Sequence, residues 1–287
     1  MLDKLRDVCA AEEVLGAAER TLGWSLRDTL ASAPDLYTNR VAQPLICIGQ
    51  LATWEAIKRD LPAPALFAGY SVGELAAYGC AASLTAGALA YLAVQRAAIM
   101  DEGVREPGAL VAVSGGPTAA LMELCEQCQV DIAIVNGPEH FVLGGPSHAI
   151  QRFEEAAAAR AFRVTPLNVA VPAHTSLLSP AIDRFRTELE RCAMTNPTTP
   201  VLAGITGLPI RTRSAAIEHL SRQIGETVRW ESCMETALEM GCTVFLELGP
   251  GQALSRMVIQ RYPHLQARST EEFRSLTAVS RWVEEVL

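Results

Sequence analysis

Apolar residues recur three and four apart from about residue 3 to 21, and again from Val41 to Arg59, the spacing of two helices that each bury one face. Pro62 and Pro64 close the second, and the run Ala65-Leu66-Phe67-Ala68 reads as a buried strand. Helices are predicted from Val72 to about Cys80 and from Thr85 to about Glu102, the latter opened by Ser83-Leu84-Thr85. The rhythm then changes. Ala109–Val113 reads as a strand, Pro117–Cys128 as a helix, Val130–Val135 and Phe141–Leu143 as strands, Ser147–Arg160 as a helix and Arg163–Val169 as a strand. That order is the split βαβ or ferredoxin-like unit, bracketed by Pro107-Gly108 and Pro172.

After the unit the pattern returns to helix and strand in alternation. A helix is expected from about Ser176 to Cys192, a strand at Val201–Ile205, a helix at Trp230–Met240, a strand at Val244–Leu248 and, past Gly249-Pro250-Gly251, a last core helix that leaves His264 in a polar tail. Alternating elements with apolar strands predict an α/β fold, a mostly parallel sheet flanked by helices with an inserted ferredoxin-like α+β small domain. The expected division is a large domain of residues 1–107 and 170–287 and a small domain of residues 108–169.

Composition narrows the class of function. The 287 residues suffice for a sizeable core, yet no apolar run approaches the roughly 18 residues of a membrane span. The first residues, Met1-Leu2-Asp3-Lys4-Leu5-Arg6-Asp7, mix charges of both signs without an apolar stretch, unlike a signal peptide, so a cytoplasmic protein is expected. A net charge of −8 argues against a broad nucleic-acid surface. The eight cysteines are scattered, and Cys125 and Cys128 share one helix with no second pair, so core thiols are expected and no metal site.

One stretch carries chemistry. Gly69-Tyr70-Ser71-Val72-Gly73-Glu74 places a serine between two glycines where the strand gives way to the helix, the form of a nucleophile elbow. There the Ser71 hydroxyl is thrust clear of the sheet, and the N–H of Val72 can face the oxyanion formed when Ser71 attacks a carbonyl. A glycine-rich turn with an incidental serine reads the same. Of the five histidines, His174 follows the strand that returns from the insert and is the best placed to serve as base. Gly249-Pro250-Gly251 resembles a phosphate loop but lacks a following Lys-Ser/Thr, so a structural turn is expected.

Gly-Tyr-Ser71-Val-Gly-Glu, Gln95-Arg96, Val-Pro-Ala-His174, Arg222-Gln223 and Glu247-Leu-Gly-Pro-Gly251 resemble, in order and spacing, the malonyl-CoA:acyl-carrier-protein transacylases over nearly the whole chain. Tyr70, where the fatty-acid-synthesis enzymes usually carry His, is most similar to the epsilon subunit of malonate decarboxylase. The resemblance implies a Ser71 nucleophile, His174 as base, Gln223 orienting it through a backbone carbonyl, and Arg96 gripping the free carboxylate of malonyl. A planar guanidinium suits that task, since it pairs both carboxylate oxygens and gains nothing from acetyl. Asn136 matches a polar residue near the acyl pocket, although an Asn-Gly-Pro turn explains it equally well.

The implied substrates are malonyl-CoA and the phosphopantetheine-type thiol of an acyl carrier protein, the malonate decarboxylase carrier subunit or one of fatty-acid or polyketide synthesis, with no bound cofactor. The family's opening strand and Gly-Gln-Gly-x-Gln loop are not found. An unpaired sheet edge and loss of one oxyanion donor, costing on the order of 10²–10³ in rate, are expected to follow. Two other functions fit the motifs: an α/β-hydrolase esterase, whose late histidine would be His264, and a carrier-binding subunit without catalysis.

Overall fold

In the computed structural model, which describes residues 2–32, 36–169 and 171–287, the first helical stretch is a 3-10 turn at Leu2–Leu5 followed by α1 (Cys9–Leu22). The two are separated where Asp7 adopts a φ of 65°. An unanticipated α2 (Leu26–Ser32) precedes α3 (Asn39–Ile57). β1 (Phe67–Ala68) leads through the elbow into α4 (Val72–Cys80), and α5 (Ala86–Gly103) starts where the Thr85 hydroxyl caps the Ala88 N–H. Every residue of α4 from Glu74 onward is buried. The α5 sequence is apolar on nearly all faces, as befits an interior helix, and it carries Arg96 into the core with it.

The middle of the chain forms β2 (Gly108–Ser114), α6 (Thr118–Cys128), β3 (Asp131–Gly137), β4 (His140–Pro146), α7 (Ser147–Ala158) and β5 (Arg163–Pro166). These strands lie in the order β5-β2-β4-β3, all antiparallel, over a separate apolar cluster that includes Val111, Leu143, Ile150 and Phe153. Cys125 and Cys128 are free thiols packed into that cluster. The strand expected to reach Val169 ends at Pro166. The expected boundary at Ala170 falls outside the described residues.

The third part begins with a 3-10 segment, Ser176–Ala181, where a single long helix is expected, and continues as α8 (Ile182–Arg191), β6 (Val201–Leu202), β7 (Pro209–Ile210), α9 (Arg213–Gln223), β8 (Val228–Arg229), α10 (Trp230–Glu239), β9 (Val244–Glu247) and α11 (Ala253–Arg261). The predicted polar tail is instead structured, as β10 (Gln266–Ser269) and α12 (Leu276–Val286), the latter burying Val279 and Val283. β1 runs parallel to β6 and β9 parallel to β10, while β7 adds an antiparallel strand beside β6, so the sheets are mixed and flanked by helices. Among the described residues β1 and β9 each have one ladder partner. β8, which sequence patterning misses because it is two residues long, pairs parallel with β3 and ties the chain after α9 to the antiparallel sheet. Among the described residues no helix is long and apolar enough to cross a membrane.

Candidate active site

The elbow is forced by close backbone approach. A Cβ on Gly69 would sit 2.1 Å from the backbone of Gly73 and Glu74, a separation no side chain tolerates. Ser71 at the apex has φ 53° and ψ −118°, a conformation costly for a non-glycine residue and sustained only by the packed strand and helix on either side. The first-turn N–H groups of α4 have no intrahelical acceptor. Those of Gly73 and Glu74 turn back to the carbonyls of Tyr70 and Ser71, whereas the Val72 N–H makes no such bond among the described residues.

His174 meets the serine from a segment 103 residues away. It too has a positive φ, 63°, held by its own N–H bonding the Ile224 carbonyl at 2.8 Å. Its Nε2 lies 2.8 Å from Ser71 Oγ and its Nδ1 2.6 Å from the Gln223 carbonyl oxygen. A carbonyl only accepts, so Nδ1 carries the proton and Nε2 is left to receive the one on Ser71. Burial lowers His174 to about 3, with nearby Arg96 acting the same way and the Gln223 carbonyl opposing, so the ring is neutral at pH 7. A neutral imidazole against a hydroxyl is the arrangement for withdrawing the serine proton as a nucleophile attacks.

Arg96 is 2% exposed, and no carboxylate forms a salt bridge with it among the described residues. Its Nη1 donates to Gln43 Oε1 at 2.8 Å and its Nη2 to Gln223 Oε1 at 3.0 Å, both neutral oxygens. Burial lowers it to about 10. Gln223 therefore works twice, its side chain on Arg96 and its backbone carbonyl on His174. Its carboxamide nitrogen reaches the Ser71 carbonyl at 3.1 Å and Glu74 Oε2 at 2.5 Å. Gln43 and Glu74 escape the sequence reading. Glu74 stands inside the elbow motif, but an acidic residue in the first turn of a helix normally faces solvent.

Asn136, on β3, has an Oδ1 that is buried and without a partner among the described residues, and its side chain opposes the burial that raises the Tyr70 hydroxyl to about 12. The Tyr70 ring packs edge-on against Trp230 at 5.4 Å. A cleft of about 530 Å³ opens beside His174, with Asp131 and Ile132 of β3 on one wall and Arg222, Thr227 and Arg229 on the other. Asp131 accepts from the Ser176 N–H and hydroxyl at 2.8 and 2.6 Å, fastening the antiparallel sheet to the histidine segment.

Two other candidates stand apart. His264 is exposed and packs edge-on against Tyr262, whereas Ser71 has its imidazole in His174. At the Gly249-Pro250-Gly251 turn the Glu247 carboxylate accepts from the N–H groups of Leu254 and Ser255, which fills with a carboxylate the helix start where a phosphate would bind. Among the described residues no group of three His, Cys, Asp or Glu is placed to hold a metal ion.

Known proteins share this arrangement of chain. The malonyl CoA-acyl carrier protein transacylase of Mycobacterium tuberculosis is 31% identical over 268 residues, covering 89% of this chain and 88% of that protein. The Escherichia coli protein of the same name is 30% identical over 277 residues, covering 93% and 89%. The crystal structure of MCAT from Streptococcus pneumoniae superposes with a TM-score of 0.90 at 28% identity over 98% of this chain and 95% of that one. A chain of the complex between a type II PKS acyl-carrier protein and its malonyl-transacylase gives a TM-score of 0.91 at 27% identity, over 98% and 94%. The profile of the acyl transferase domain family matches residues 5–286, and the chain belongs to that family.

Proposed function

We propose that this chain moves a malonyl group from malonyl-CoA to the prosthetic-group thiol of an acyl carrier protein, by way of an ester on Ser71. The observation that carries the reading is the Ser71–His174–Gln223 carbonyl relay with a buried arginine, which no carboxylate pairs among the described residues, tied to the same glutamine. The names of the relatives point the same way.

Ser71 Oγ attacks the thioester carbonyl while its proton passes to His174 Nε2. The imidazolium is held by the Gln223 carbonyl, and the oxyanion faces the Val72 N–H. Collapse breaks the C–S bond, and the CoA sulfur leaves with the proton from His174. The carrier thiol then gives its proton to His174, attacks the ester carbonyl, and Ser71 regains a proton as the C–O bond breaks. Arg96 pairs with the malonyl carboxylate. A neutral acyl group leaves that cation with only amide oxygens, which is a penalty against acetyl.

The carrier we assign is the malonate decarboxylase carrier subunit. Tyr70 supports this choice, because the resemblance to that system rests on a tyrosine before the serine, and here its ring is packed against Trp230. Carriers of fatty-acid or polyketide synthesis are the alternative, and parallel assays with each type decide between them.

Intact mass after brief incubation with malonyl-CoA tests the chemistry. A malonyl adduct on the wild type and none on Ser71→Ala is expected, with parallel lines when malonyl-CoA and carrier are both varied. A folded chain that gains no adduct, or convergent lines, overturns the reading.

A further inference from the structure

We infer that Glu74 is a positioning residue of the acyl-transfer site: its carboxylate holds the Gln223 carboxamide, and through it both the carbonyl that orients His174 and the oxygen that receives Arg96. The inference rests on the reading of Ser71 and His174 given above. Glu74 is fully buried on α4, three residues past the serine. Its Oε2 accepts from the Gly204 N–H at 2.8 Å and from Gln223 Nε2 at 2.5 Å, and its Oε1 is buried without a partner among the described residues.

Stability does not explain such a group. Burying a carboxyl with one oxygen unpaired is unfavourable, and two amide donors on the other oxygen offset only part of that. An apolar residue of the same size would serve packing better. What the carboxylate provides is a second acceptor for the Gln223 amide nitrogen, which holds the amide in one direction and place. That amide must present its oxygen to Arg96, which only donates, and its nitrogen to the Ser71 carbonyl, which only accepts. Glu74 completes the same sense on the nitrogen side.

The effect reaches His174 because Gln223 is the last residue of α9. A carbonyl at a helix C-terminus lacks an intrahelical partner and is free to bond His174, but it is also where helices fray. The three side-chain bonds of Gln223 pin that end. Gly204 leaves the space required, since a Cβ there would lie 2.8 Å from Glu74 Oε2. Burial raises Glu74 to about 7 against the pull of Gly204, Gln223 and Arg96, and since both donors meet Oε2, that oxygen accepts in either protonation state when the proton sits on Oε1.

The test is Glu74→Met, of similar size. It removes the acceptor that both Gly204 N–H and Gln223 Nε2 share, so the Gln223 side chain loses one anchor. Ser71 activation is read with phenylmethylsulfonyl fluoride, which needs no malonyl recognition, and with malonyl-CoA; the His174 Nδ1–H proton is read by NMR. For a folded variant the expected result is a sulfonylation rate lower by at least about tenfold, a fraction of the 10²–10⁴ that a positioned base supplies. A comparable loss of malonyl-over-acetyl preference and a shifted or broadened imidazole proton should accompany it.

Gly204→Ala, which displaces the carboxylate from the other side, should reproduce all three effects and stands in if the methionine variant does not fold. Variants that react within twofold of wild type with an unchanged imidazole proton would overturn the inference. Wild type that is sulfonylated but never malonylated refutes the transferase reading alone, and the comparison of imidazole protons still decides the role of Glu74.

Discussion

Replacing Arg96 by methionine removes the guanidinium while keeping most of the side-chain volume, and the structure sets the size of the effect. Burial depresses the arginine to about 10, against an ordinary value of about 12.5 or more, a penalty on the charged form of about 3 kcal/mol at about 1.4 kcal/mol per factor of ten. A malonyl carboxylate that pairs with the guanidinium recovers most of that penalty and acetyl recovers none, so wild type should prefer malonyl by about 10²-fold in kcat/KM. In Arg96→Met the preference should collapse to within a few-fold of unity. Malonyl turnover should fall about 10³-fold, and acetyl turnover by about tenfold, the latter because Gln223 loses one anchor. The assay is the initial rate of Ser71 acylation by each thioester over a range of concentrations, followed by intact mass. A folded Arg96→Met chain that keeps the wild-type ratio of malonyl to acetyl would refute the assignment of Arg96, whatever its absolute rate.

His174→Ala should lower acylation by about 10²–10⁴, whereas His264→Ala, at an exposed site beside Tyr262, should leave it unchanged; the reverse pattern in the same rate assay would favour a hydrolase. His174 also shapes stability. Its folded value of about 3 lies below the unfolded value of about 6.5, so its contribution is complete above pH 6.5 and is lost as pH falls toward 3. Between pH 6.5 and 5 the unfolding free energy of wild type minus that of His174→Gln should fall by about 1.5 kcal/mol, and a flat difference in urea titrations would contradict the burial argument. Glu74 acts in the opposite sense, because its value is raised to about 7: its contribution is present below about pH 4.3 and lost as pH rises through 7, so the same titrations on Glu74→Gln should show a relative gain above pH 7. Gly69→Ala, with a Cβ 2.1 Å from backbone atoms, should cost more than about 3 kcal/mol or abolish folding, read from the urea midpoint or the soluble yield.

Local pattern was enough to determine the elbow, the helices around it and the antiparallel insert. The steric demand of Gly69, the helical spacing of α3 and α5 and the alternation along β2 and β4 all act over a few residues, and each can be read where it stands. Ser71 followed from the elbow, and His174 from its place after the returning strand. Elements that are short or lack periodicity were invisible: β7 and β8 have two residues each, and β10 and α12 lay in a segment whose polar residues masked its buried face. The partners of Arg96 were out of reach for a different reason. Gln223 is 127 residues from it and Gln43 is 53 residues away, while Glu74 is 130 from Gly204 and 149 from Gln223. A glutamate in the first turn of a helix and a glutamine at the end of another carry no local mark of burial. Only the convergence of α4, α5, the end of α9 and the strand end at Gly204 takes these groups out of water, and once there each polar atom must find its complement among the few that the fold brings within reach.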